Sequence, residues 1–229
     1  MLLNLRITTG FSLFILILLL CFSSCLTPGK IDRWIDHEYG NTVQNRPRKS
    51  DYIHIIQPEA NDNVIARTEK RKMKMIPALF YWQWEYGTVS TMNELVPHNT
   101  FQQTFIPYAN GKGLKRKLEG QTVELKVENM PAKFSMVDKG GLVFLVVWYV
   151  TWDRIFVDPE KQDLVVSYRL LRDGTVTKKG IITVADRNKP VDVKVFRSVK
   201  KTFWEYLAGY NANVQAMSKE AADKLIAEL

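Results

Sequence analysis

Few side chains in this chain are placed to do chemistry, and their spacing limits what they could do. The three histidines, His37, His54 and His98, share no spacing of the His-Glu-x-x-His kind. They read as structural or solvent-facing imidazoles, and no metal site is expected. No serine sits in a Gly-x-Ser-x-Gly turn: Ser90, Ser135, Ser167 and Ser198 all lack that setting. Asp153, Asp158, Glu160 and Asp163 crowd around Val157-Asp158-Pro159. Two carboxylates brought within reach could work as acid and base, or bind a cation. Their spacing is not that of a calcium loop, and a polar loop between apolar strands is the favoured reading. Gly111-Lys112-Gly113 lacks the remainder of a phosphate-binding loop and follows no strand-like run. The chain is therefore expected to be no enzyme and to carry no cofactor.

Binding chemistry is better represented. Tyr81-Trp82-Gln83-Trp84-Glu85-Tyr86 sets four aromatics in six residues. Strand alternation would place Trp82, Trp84 and Tyr86 on one face, with Tyr81, Gln83 and Glu85 on the other. Such rows stack on sugars, anchor interfaces or fill the core of a small sheet. Trp148, Tyr149, Trp152 and Trp204 offer packing partners, and core packing is the favoured of these readings. Two basic runs, Arg67 to Lys74 and Lys112 to Lys117, could meet lipid headgroups or glycan phosphates, or simply be solvated faces. Trp82, Trp84, Tyr86, Lys115, Arg116 and Lys117 are the candidate binding residues.

The remaining reactive group is a thiol. The only cysteines are Cys21 and Cys25, and both lie near the N-terminus. Arg6 is followed by an apolar run from Phe11 to Phe22 and then by Ser23-Ser24, the order of a secretory signal. That run is shorter than the roughly 20 residues a helix needs to span a bilayer. Phe22-Ser23-Ser24-Cys25 resembles the bacterial lipobox, departing from it at Phe22, where leucine is commoner. The resemblance implies cleavage before Cys25 and lipidation of its sulfur. Cys21 fits less well, because Leu20 in front of it is bulky. The other readings of the leader are an uncleaved membrane anchor and ordinary secretion with an incidental cysteine. The lipoprotein resemblance also implies the outer membrane, since Leu26 rather than aspartate follows the cysteine, and its periplasmic side, since no acidic stretch follows.

Removal of residues 1–24 as a signal peptide would leave 205 residues with 31 basic and 24 acidic side chains, a net charge of +7. One thiol cannot form an internal disulfide or a zinc–thiolate site. The basic balance suits anionic lipid, lipopolysaccharide phosphates or an acidic partner, while nucleic acid is not expected in that compartment.

The elements that must position these groups follow from periodicity. Residues 25–50 read as a lipidated tether with a short helix over Lys30 to Tyr39, and residues 51–229 as a single domain. Tyr52 to Ile56 is strand-like, with Val64 to Arg67 as its return strand. The run from Lys72 begins as a strand in which Pro77 argues for an edge or a bulge. Pro97 to Leu118 reads as an amphipathic helix, interrupted near Pro107 or Gly111. Val123 to Glu128 alternates as a half-buried strand, and Lys133 to Val137 is another. Leu142 to Trp152 is apolar throughout and reads as one central strand. Asp173-Gly174 should turn a hairpin between Leu164 to Arg172 and Thr175 to Ala185. Val199 to Leu229 is helical, with a break at Gly209 and a second cap at Ser218 as options. Together they predict an α+β fold: a mostly antiparallel sheet with an amphipathic helix and a long C-terminal helix packed on one face.

The function expected from this reading is non-catalytic. A periplasm-facing lipoprotein would hold the membrane through its N-terminal lipid and serve as an accessory of an envelope assembly or transport complex, with envelope proteins as partners. The alternative is a glycan- or lipid-binding module using the aromatic row 81–86 and the basic runs.

Overall fold

The hairpin at Asp173-Gly174 is the part of the fold most directly written in the sequence. Both turn residues have positive φ, 52° and 79°, the geometry that suits the right-handed twist of the flanking strands. The computed structural model describes residues 27–44, 49–58, 64–145, 148–194 and 196–229, apart from the side chains of residues 41–44 and Met73. Among them run α1 (Pro28–Gln44), β1 (Ile53–Ile56), β2 (Ala66–Ala78), β3 (Tyr81–Met92), α2 (Leu95–Gly111), α3 (Leu114–Lys117) and β4 (Thr122–Asn129). They continue as β5 (Lys133–Leu145), β6 (Trp148–Pro159), β7 (Leu164–Arg172), β8 (Thr175–Val184), β9 (Val191–Asp192) and α4 (Val199–Glu228).

The architecture is α+β with mostly antiparallel strands and a long C-terminal helix, and the strands divide between two sheets. One has the order β1-β4-β7-β8 and the other β2-β3-β5-β6-β9. β1 pairs parallel with β4, so the segment after it is not its return strand: β2 belongs to the other sheet. Pro77 does lie on an edge strand, with a register shift between Arg71 and Lys74 in the same strand.

Each sheet has its own core. Leu125, Val166, Tyr168 and Val184 of the four-stranded sheet pack on Phe101 and Phe105 of α2 and on Met217, Ala221 and Leu225 of α4. The base of the five-stranded sheet supplies Met92, Phe134, Met136 and Val157 to a second core with Ile31 and Ile35 of α1 and Phe203, Tyr206 and Val214 of α4. α4 is unbroken and spans both. Gly209 does not interrupt it, and Ser218 is not a cap, since its hydroxyl donates to the Val214 carbonyl one turn back (2.7 Å).

Two expectations about the elements are corrected. The described part of the expected tether is packed on the domain: α1 runs on to Gln44, and Ile31, Ile35 and Tyr39 are fully or almost fully buried. The tyrosine hydroxyl donates to the Leu207 carbonyl (3.1 Å), tying the helix to α4. Nor is Leu142 to Trp152 one central strand. Leu145 pairs with Trp148, so the chain reverses between them and the apolar run becomes the facing ends of β5 and β6. No described helix is long and apolar enough to cross a membrane.

Candidate functional site

Strand pairing aligns the far ends of β2, β3, β5 and β6 into rows that cross the sheet. Lys74, Glu85, Lys139 and Arg154 form one row on one face, with the Glu85 carboxylate 4.0 Å from the Lys139 ammonium and 3.5 Å from Arg71. Beyond it, on the same face, come Ile76, Gln83, Gly141 and Trp152, and then Ala78, Tyr81, Val143 and Val150. On the opposite face, Met75, Trp84, Gly140 and Asp153 are followed by Pro77, Trp82, Leu142 and Thr151. Leu79 and Phe80 lead the β2–β3 turn, and the Phe144/Tyr149 and Leu145/Trp148 pairs end the second hairpin. Past the charged row, Asp153 is the single charged side chain among the described residues.

No described residue covers either face of this end of the sheet. Leu79 is 87% exposed, Trp148 75% and Tyr149 68%, and Met75, Ile76, Phe80, Trp82, Phe144, Leu145 and Val150 are about half exposed. The apolar area open to solvent is on the order of 1,000 Å² or more, against about 300–600 Å² for the largest patch on a typical monomer. Adjacent glycines let indoles lie flat on either face. A Cβ on Gly140 would fall 2.5 Å from the Trp84 ring, and one on Gly141 2.1 Å from the Trp152 ring. Trp152 also stacks on Tyr81, centroids 5.9 Å apart.

A basic collar surrounds the base of this end. Arg71, Lys72 and Lys74 are exposed on β2, as is Arg154 on β6, where it forks onto the Asp192 carboxylate (2.8 and 3.2 Å). The Val193 N–H donates to the Ile155 carbonyl, which brings the turn closed by Arg197 N–H to the Lys194 carbonyl close to the same level. In that turn Phe196 is fully exposed with φ of 65°, an outlier for a bulky side chain. On the other face the Asp138 carboxyl is held above its ordinary value, first by burial and then by Asp153, while a hydrogen bond from Tyr86 opposes the shift.

α1 points its start toward this end. Gly40 lies against Ile65, Asp32 lines a surface hollow that runs from Val64 to Glu69, and Trp34 and Tyr39 meet Phe203 and Tyr210 of α4 in the same order. Pro28 is four residues beyond Asp32, about 6 Å along a helix axis. Cys25 is three residues earlier, a reach of at most about 11 Å. Lys74 is five residues, or roughly 16 Å, past Glu69. Cys25 itself lies outside the described residues.

The sequence-derived candidates separate into two places. Trp82, Trp84 and Tyr86 share a face of β3, as alternation requires, but Trp82 and Tyr86 are about half exposed rather than core. Lys115, Arg116 and Lys117 form the exposed turn α3, whose Leu114 belongs to the core of the other sheet. They are not brought to the aromatic row. Of the carboxylate cluster, Asp153 faces the tip, whereas Asp163 accepts the Asp186 N–H in a loop (3.1 Å). Among the described residues no three His, Cys, Asp or Glu side chains gather as metal ligands. A hollow of about 760 Å³ on the four-stranded sheet is lined by Glu124, Lys126, Glu128 and Arg169, already paired as Arg169–Glu124 and Lys126–Glu128. Sequence reasoning missed the exposed ends of β5 and β6. The signal was length, since eleven apolar residues exceed the usual strand of about 5–6. Comparisons with family models, with curated proteins and with solved structures give no match.

Proposed function

We propose that this chain is a non-catalytic, lipid-anchored envelope protein that holds the membrane at two points, the lipid of Cys25 and the apolar end of the five-stranded sheet. It works on the periplasmic side of the outer membrane as an accessory of an assembly or transport complex. The observation that carries the second contact is the apolar end, open on both faces and bounded by one charged row. Indole and phenol rings favour the boundary between headgroup and hydrocarbon, and cations above it favour anionic headgroups. The side chains fit that order: Trp and Tyr are mixed with Leu, Ile, Val and Phe, and the Lys and Arg collar follows. From Lys139 to Leu145, β5 extends about 20 Å, enough to enter hydrocarbon. Glycan recognition is the weaker reading, because Met75, Ile76, Leu79, Leu145 and Val150 offer a sugar no hydrogen bonds.

Four of the six tryptophans, Trp82, Trp84, Trp148 and Trp152, stand at this end. Placed in phosphatidylethanolamine–phosphatidylglycerol vesicles, the lipidated chain should lose roughly half or more of its tryptophan emission when the acyl chains are brominated, and Trp148→Asp should reduce that loss. Emission indifferent to bromine would sink the second contact. Cys25→Ala should abolish labelling by a radioactive fatty acid; a variant that stays unprocessed in the membrane would make the leader a transmembrane anchor instead.

A further inference from the structure

The end of the sheet that enters the membrane under the proposal above has two open edges, and this decides how many copies are needed. The outer edge of β2 over 72–78 and that of β6 over 148–154 face no described strand. Below the charged row α1 packs against β2, and β9 with the Val193 N–H occupies β6 from Ile155 to Val157. Above it each edge presents backbone N–H and C=O groups in alternation. In water these are solvated, but in hydrocarbon an unpaired group costs several kcal/mol, and open sheet edges do not occur there. Charged side chains, the usual protection of an edge, are confined to the bottom of both, at Lys72 and Lys74 on β2 and at Asp153 and Arg154 on β6. Pro77 withholds a single donor.

We infer that in the membrane the outer edge of β2 in one copy pairs with the outer edge of β6 in the next, head to tail, so that copies of this chain close a ring of strands. The inference rests on the membrane reading above. Strand direction permits the join. The four strands alternate, β2 running toward the tip and β6 away from it, so β6 beside the β2 of the next copy continues the antiparallel order. Such a contact is heterologous, and it leaves no free edge only when the ring closes. Strands in the ring then come in multiples of four. Both faces of the four-strand unit are already apolar, so neither needs a partner from another protein to enter lipid.

The test uses the lipidated full-length chain in brominated phosphatidylethanolamine–phosphatidylglycerol vesicles, cross-linked with an amine-reactive reagent before detergent is added. Tryptophan quenching together with cross-linked species of one discrete size above the dimer supports the inference. Quenching with a monomer alone overturns it and leaves the membrane reading standing. Absence of quenching overturns both, whatever the mass. Thr151→Pro, which removes an outward-facing donor from the free edge of β6, should cut the cross-linked fraction about fivefold or more with quenching retained. Met75→Pro, which removes an outward-facing donor from the free edge of β2 without adding charge, should do the same and guards against a fault confined to one strand. If both variants fold, are quenched and cross-link like the unaltered chain, edge pairing is overturned.

Discussion

His98 shows how one buried side chain carries a pH dependence. It is almost fully buried at the start of α2, and its Nε2 stands 3.0 Å from the Ile56 carbonyl. A carbonyl can only accept, so Nε2 carries the proton and donates, which leaves the buried Nδ1 without a hydrogen-bond partner. Burial holds the imidazole below its ordinary value of 6.5, against the opposing effect of the Ile56 bond. The unfolded chain takes up the proton near 6.5 and the folded chain only at lower pH. Between those two values the unfolded state binds more protons, so stability falls as pH drops below 6.5 and levels off once the folded imidazole titrates. Chemical denaturation at pH 7.5 and 5.0 should show this loss, and His98→Gln, which can still donate to Ile56, should reduce it. An equal loss in the variant would assign the acid sensitivity elsewhere.

At the scale of elements, α4 depends on its first turn. Ser198 has extended backbone angles, and its Oγ accepts the Lys201 N–H (3.2 Å), one of the donors a helix start leaves unpaired. Ser198→Ala should cost about 1 kcal/mol in a urea melt. An unchanged midpoint would mean that water satisfies that N–H equally well. The hairpin ends of β5 and β6 follow a different logic. Their apolar run would normally specify a strand buried on both faces, and here the run folds back on itself with no described residue over it. The residue types indicate an apolar destination, and the topology places that destination outside the folded body.

The whole molecule is joined through α4. Phe203 is buried against Phe134 of the five-stranded sheet (5.6 Å between ring centroids), while Leu225 is buried with the four-stranded sheet. One 30-residue helix thus contributes to both cores. Unfolding should be a single transition in which Phe203→Ala costs about 3–5 kcal/mol and Leu225→Ala about 2–5 kcal/mol. Two separable calorimetric transitions, each moved by only one variant, would make the sheets independent units. The same linkage sets the orientation of the molecule. α1 packs along α4, its start is directed toward the charged row, and the four hairpin strands rise beyond that row.

The sequence by itself determined the local elements: the Asp173-Gly174 hairpin, the alternating strand around Val123 to Glu128, a helix starting near Pro97 and the helical C-terminus. Each of these is dictated by the spacing of neighbouring residues, which a sequence states outright. It also carried the face shared by Trp82, Trp84 and Tyr86, since alternation is a property of one strand. Only the tertiary structure decided that the strands form two sheets, that α1 belongs to the core, and that Lys115 to Lys117 lie on the other sheet's core rather than beside the aromatic row. It alone decided that no described residue covers the apolar end of β2, β3, β5 and β6. The physical reason is that burial depends on which distant segments meet. An apolar run states a preference for leaving water, and whether a core or a membrane satisfies it is set by contacts far apart in the chain.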